Sequence, residues 1–354
     1  LPSLFEPHWY GDEGIYQVIG DSLNNGKLLY TQIFDNKPPL LYWLYAILKS
    51  DQFTVRLASL IFGLFSIILF FLLSKKLFKK SRINFLTTSV FAVLFGLPIY
   101  EGNIANAENF MLLPILTSAF FIVNQKKFLI AGLFLGLAFL FKIVAIFDFA
   151  AFLIFCFIVN FNSLKKEIKL SSFVVGFSLP IIVVSLFFIS NGTFIDFVKA
   201  VFITNISYVS WGNKIGNLPF LLILKLIILG CFTFYIFTKR KKFSNTTLFI
   251  SVWFAFSLFN AFFSQRPYTH YVLVLISSLS LMIGIILFDK KYQKTITIFF
   301  FIGLLTVIKV FGIPDFNKSI SYYQNFISFV LGEKTMVQYQ EFFDKNTPFD
   351  YEIA

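Results

Sequence analysis

The chain is poor in sulfur and in charge. Its two cysteines, Cys156 and Cys231, each sit inside an apolar run, without metal-ligand spacing or an obvious partner. They read as small apolar fillers rather than as a disulfide framework or a metal site. Charged residues make up 14% of the 354, against 57% hydrophobic, which is too apolar for a soluble globular protein. No nucleotide-binding motif, Gly/Ser-rich linker, low-complexity block or internal repeat stands out. The chain begins at Leu1 with no spanning helix before its first polar motif, so a lost N-terminal helix is expected.

What is abundant is phenylalanine, 53 residues of it, and apolar runs of membrane-crossing length. The composition predicts an all-α polytopic membrane protein. Ten spans are expected, near 53–74, 83–99, 108–124, 128–141, 143–160, 172–190, 218–238, 246–264, 271–288 and 295–312. Residues 1–52 form a first outer loop, 53–312 the helical bundle and 313–354 a short outer tail. Leu40 to Leu48 is too short to cross, so it is expected along the interface with Tyr42, Trp43 and Tyr45 at headgroup level.

The net charge of +12 does not imply nucleic acid, because the basic residues are not gathered on one soluble face. They cluster at Lys75 to Arg82, Lys126 and Lys127, Lys165 to Lys169, Lys239 to Lys242 and Lys290 to Lys294. Each cluster follows an odd-numbered span, so all five share one side. Those loops hold 17 of the 30 basic residues and two of the 18 acids, Glu167 and Asp289. By the positive-inside rule that side is cytoplasmic. The opposite side receives residues 1–52, Tyr100 to Ala107, the turn near Lys142, the loop Asn191 to Asn217, the turn Gln265 to His270 and the tail.

Chemistry-bearing residues gather on that outer side. Asp12 and Glu13 open an amphipathic run. Asp12 is expected either to cap the helix starting there or to take a proton from an incoming hydroxyl or amine, and the two roles are compatible. Lys37 precedes Pro38-Pro39, residues suited to a first helical turn. It is either a snorkelling anchor or a cation for a headgroup phosphate. Glu101 and Glu108 form a second acidic element, with Glu108 where a span begins. Lys142 interrupts two apolar segments and needs a cavity or a partner; Asp148 is one candidate partner. Lys225 is expected to snorkel. Arg266, Tyr268 and His270 lie in one outer turn, and an arginine there suits bidentate phosphate binding.

At these residues the chain resembles the GT-C glycosyltransferase superfamily. Specifically, it is similar to the dolichyl-phosphate-mannose protein mannosyltransferases and their bacterial relatives, which include the lipid A aminoarabinose transferase. The resemblance rests on Asp12-Glu13, Asn36-Lys37-Pro38-Pro39 through Leu44, Asn106-Ala107-Glu108, Gly136 through Lys142, and Arg266 through Tyr271. It runs in order from about residue 5 to 290 and lacks the large soluble C-terminal domain of some relatives.

The resemblance implies a GT-C-like bundle with interfacial juxtamembrane helices in the first outer loop. It implies an inverting transferase that uses a polyprenyl-phosphate sugar at the extracytoplasmic face of the cell membrane. Asp12 corresponds to the base, and Glu13 and Glu108, with Glu101, to an acceptor pocket or a site for a divalent cation. Lys37 corresponds to the phosphate-binding lysine, supported by Lys142, Arg266, His270 and Tyr268. Membrane lipid and an acceptor protein, lipid or glycan are the other partners, and a divalent cation is the one cofactor the resemblance allows. The alternatives are a transporter or flippase of a lipid-linked saccharide, whose sites usually sit near the bilayer midplane, and a non-catalytic assembly subunit.

Overall fold

The computed structural model describes residues 1–161, 166–214, 220–266, 268–288, 293–312 and 315–344. Lys165, Asn217, Pro267, Asp289, Lys290, Lys291 and the end of the tail, all within stretches discussed above, lie outside the described residues.

Among the described residues the architecture is helical throughout, with one isolated bridge between Leu29 and Ile33. The N-terminal region carries α1 (Gly11–Asn24) and α2 (Pro39–Ile47), then α3 (Gln52–Leu77), α4 (Ser81–Gly96), α5 (Ala107–Val123) and α6 (Phe128–Phe141). The middle holds α7 (Ile146–Val159), α8 (Lys166–Ser190), α9 (Phe194–Val198), α10 (Thr204–Gly212) and α11 (Phe220–Thr238). The chain closes with α12 (Asn245–Ala261), α13 (Leu273–Phe288), α14 (Gln293–Phe311), α15 (Phe316–Val330) and α16 (Met336–Gln340).

Helices occupy all ten expected spans, and the chain is a polytopic helical membrane protein. Local chemistry sets several starts. The Asp51 carboxylate accepts from Thr54 N at 2.8 Å ahead of α3, and Asn106 accepts from Ala107 N at 2.7 Å ahead of α5. Pro38 and Pro39 open α2. On length and composition alone, α3, the greater part of α8, α11 and a helix through α13 can cross a bilayer. The helices α4 to α7 are apolar but shorter, at 14 to 17 residues.

Two expectations change. The loop from Asn191 is largely helical, α9 running through a π turn into α10. Tyr42 and Tyr45 are buried in protein rather than presented to lipid, because their hydroxyls have internal partners: Asp35 Oδ2 at 2.6 Å and Ala105 O at 2.7 Å.

Two helices meet backbone to backbone where α6 packs on α8. A Cβ on Gly132 would lie 2.1 Å from Phe173 O, one on Gly136 2.4 Å from Phe177 O, and one on Gly176 2.1 Å from Leu129 O. Gly132 and Gly136 are four apart, the small-residue spacing that lets two membrane helices approach backbone to backbone. Four of the basic loops share one end of the bundle, where Arg240 also lies 4.6 Å from the Phe161 ring. Lys169 donates to Asn160, which donates to Gln125, and Thr246 donates to Leu77 O. The opposite end carries α1, α2, α10 and a cavity.

Candidate active site

The acidic pair opens α1 but splits its duties. The cap position is Tyr10 and no side chain caps the helix, so Asp12 lies in the first turn rather than before it. Neighbouring helical residues point about 100° apart, so Asp12 faces the cavity while Glu13 turns into protein. Glu13 accepts from Arg56 Nε at 3.0 Å and Nη2 at 2.7 Å, and from Ala105 N at 2.6 Å. Arg56, 1% exposed, spends its remaining donors on Ser3 O, Glu6 O and Pro7 O. This buried fork fixes the N-terminal segment and α1 onto the start of α3. Glu13 is absent from the cavity lining, so the structure separates it from Asp12 and Glu108.

The cavity holds about 560 Å³. Residues from every stretch assigned to the outer side, the tail excepted, line it, among them Asp12, Lys37, Glu101, Glu108, Lys142, Asn205, Tyr268 and His270. Lys37 Nζ lies 3.6 Å from Asp35 and 4.9 Å from the centre of the Tyr16 ring. The Tyr16 hydroxyl lies 3.2 Å from Asp12 Oδ2 and 3.1 Å from Asn106 Oδ1. One buried tyrosine thus separates the lysine from the aspartate. Among the described residues, no cation lies within ion-pair distance of Asp12.

The other cavity carboxylates are engaged. Lys142 sits in the break between α6 and α7, its backbone extended at φ −155°. It donates to Glu108 and lies 5.0 Å from the Tyr271 ring. His270 joins the two acids: Nδ1 is 2.9 Å from Glu101 Oε2 and Nε2 is 3.7 Å from Glu108 Oε1. Glu101 also accepts from Thr269 at 2.9 Å and from Tyr10. Burial by itself raises the Glu101 carboxyl, but the bond and charge of His270, with the Tyr10 and Thr269 hydroxyls, hold it below the usual carboxylate range. Burial and Glu101 together push the Tyr10 phenol up.

Asp148 is not the partner of Lys142. The break at Ile143–Ala145 starts α7 on a new course, and Asp148 instead accepts from Trp253 Nε1 at 2.7 Å. Lys225 does reach upward, where Asn213 Oδ1 at 2.8 Å, Phe262 O at 2.5 Å and Gln265 Oε1 at 2.5 Å receive it. Arg266 stands beside the cavity rather than in its lining, stacked 4.2 Å from Trp211 and 5.1 Å from Tyr208. Tyr268 lines the cavity and stacks on His270.

Arg56, Tyr10, Tyr16 and Tyr208 emerge only from the structure. Tyr10 and Tyr16 flank the acidic motif and could have been suspected. Arg56 and Tyr208 carry no local signal. Among the described residues, no group of three or more His, Cys, Asp or Glu side chains is arranged to hold a metal ion.

With this geometry in place, residues 36–188 match the family model for dolichyl-phosphate-mannose-protein mannosyltransferase. The match covers somewhat under half of the chain and agrees there with the family resemblance read from the sequence. The match begins at Asn36-Lys37 and takes in Glu101, Glu108 and Lys142, while Asp12 and the turn from Arg266 lie outside it. No curated protein matches the chain in sequence. In structure the chain is similar to ArnT from Cupriavidus metallidurans, solved bound to undecaprenyl phosphate. The identity is 16%, covering 94% of this chain and 68% of that one, with a TM-score of 0.59. At that identity the likeness speaks for the fold alone, a polytopic helical bundle similar to that of ArnT.

Proposed function

We propose that the chain is an integral-membrane inverting glycosyltransferase. It moves a sugar from a polyprenyl-phosphate donor to an acceptor at the extracytoplasmic face of the cell membrane. One observation carries this reading: Asp12 faces a cavity shared with Lys37 and Lys142 and is the lining carboxylate without a cation partner. An unpaired carboxylate can take a proton; one locked in an ion pair is a poor base. The family match and the ligand of ArnT support a lipid-phosphate donor. The described basic loops at the opposite end support the extracytoplasmic assignment.

In the proposed reaction the acceptor oxygen or nitrogen attacks the anomeric carbon and its proton passes to Asp12. The bond from that carbon to the phosphate oxygen breaks on the opposite face, which inverts the centre. The electron pair leaves with the polyprenyl phosphate. Lys37 and the nearby Arg266 hold the growing negative charge. The Lys142–Glu108 pair adds no net charge; it shapes the wall together with His270 and Tyr268. Glu13 supports the base by position rather than by contact with substrate.

The test is sugar transfer in proteoliposomes from a labelled polyprenyl-phosphate sugar. Asp12→Asn should lower kcat by about 10² to 10⁴, the range for a lost general base. Undiminished turnover would overturn the assignment of the base. Labelled lipid crossing the bilayer with no glycosidic product would favour a flippase instead.

A further inference from the structure

The tail helix α15 has three distinct faces. Phe316, Ile320, Tyr323, Ile327 and Val330 recur at helical spacing and are all exposed, Ile320 and Ile327 at 54% each. A second strip, Asn317, Ser321 and Gln324, is exposed and polar. The third face meets protein. Tyr322 donates to Glu6, Phe5 packs at 6.1 Å from Phe326 and 5.7 Å from Phe329, and Asn325 donates to Tyr339 O at 3.0 Å. A helix in water with only two environments needs no third, apolar face turned outward.

We propose that α15 lies in the membrane interface, its apolar stripe inserted among the acyl chains of the leaflet on the cavity side. Its 15 residues rise about 22 Å, less than a crossing needs. The stripe continues apolar surface already turned to lipid. Tyr323 donates to Gly96 O at the cavity end of α4, and Val93, one turn back, is 61% exposed. On α14, just before the tail, Ile302 and Leu305 are 58% and 63% exposed. Lys318 near the start of α15 and Lys334 beyond its end suit the headgroup layer.

The arrangement would set the height of the acidic helix above the bilayer. The lipid-seated α15 holds the N-terminal segment through Glu6 and Phe5, and Tyr339 donates to Pro2 O at 2.9 Å. Arg56 ties the same segment to Glu13, next to Asp12.

The test uses the full chain with Cys156→Ala and Cys231→Ala, carrying Ile320→Cys, Ile327→Cys or Ser321→Cys one at a time. Each is labelled with an environment-sensitive dye in phosphatidylethanolamine–phosphatidylglycerol proteoliposomes. Labels at 320 and 327 should emit to the blue, be quenched by brominated acyl chains and resist aqueous iodide; the label at 321 should do the reverse. Iodide quenching at 320 and 327 would overturn the proposal. So would shielding from both quenchers, which would mean that protein, a second copy included, covers the stripe.

Discussion

Arg56 offers the sharpest test of how the site is held. Its guanidinium makes five hydrogen bonds, two to Glu13 and three to carbonyl oxygens of the N-terminal segment, while only 1% exposed. Arg56→Ala would leave Glu13 charged and buried, with the Ala105 N–H as its remaining support. Removing one partner of such a pair costs about 3–5 kcal/mol, a large share of an ordinary folding free energy of about 5–15 kcal/mol. Arg56→Lys keeps the charge but loses the two-pronged geometry and should cost less, about 1–3 kcal/mol.

Replacing both partners, as in Arg56→Met with Glu13→Leu, should recover part of the loss, because no unpaired charge then stays buried. Denaturation followed by tryptophan fluorescence in bicelles, run as a double-mutant cycle, measures the coupling. Turnover is the second readout. Displacing α1 by about 1 Å should cost up to about 10²-fold in kcat, since Asp12 rides on the same turn. If Arg56→Lys matched the parent in both stability and turnover, the fork would not be what fixes the acid helix.

Further outcomes follow from the same geometry. Lys37→Ala should raise the KM for a polyprenyl-phosphate sugar more than it lowers kcat, with Lys37→Arg partly restoring it. Gly132→Val should cost about 1–3 kcal/mol by overpacking α6 against the α8 backbone, read as a lower denaturation midpoint. Trp253→Phe removes the indole donor to the buried Asp148 side chain and should cost about 1–3 kcal/mol in the same assay. Glu101 ionises at lower pH in the folded chain than in the unfolded one. Its stabilising contribution is therefore complete above the ordinary carboxylate range and is lost as pH falls through the folded-state value. Glu101→Gln should flatten that acid limb of a stability–pH profile.

The helices were legible because a membrane span is written locally, as an apolar run between basic loops, and needs no knowledge of distant contacts. Asp12 and Lys37 were legible for a similar reason, since each sits beside turn or helix-start residues that place it outside the apolar segments. Partnerships were not. Glu13 finds Arg56 across 43 residues, Tyr10 finds Glu101 across 91, and Glu6 finds Tyr322 across 316. The nearest opposite charge in sequence misled at Lys142: a helix break separates it from Asp148, and the true partner, Glu108, comes from another helix. Sequence adjacency also hid that Asp12 and Glu13 part company, since a helix turns neighbours to different faces and Glu13 meets Arg56.

The short helices beside the cavity bear on the lipid around it. The 14 residues of α6 and of α7 each rise about 21 Å, against a hydrocarbon layer of about 30 Å. One way a bilayer accommodates such a short wall is to thin beside it. Headgroups next to Lys142, at the joint between those helices, would then sit deeper than in the surrounding membrane, and a phosphate on a long lipid could meet the protein's cations without leaving its own leaflet.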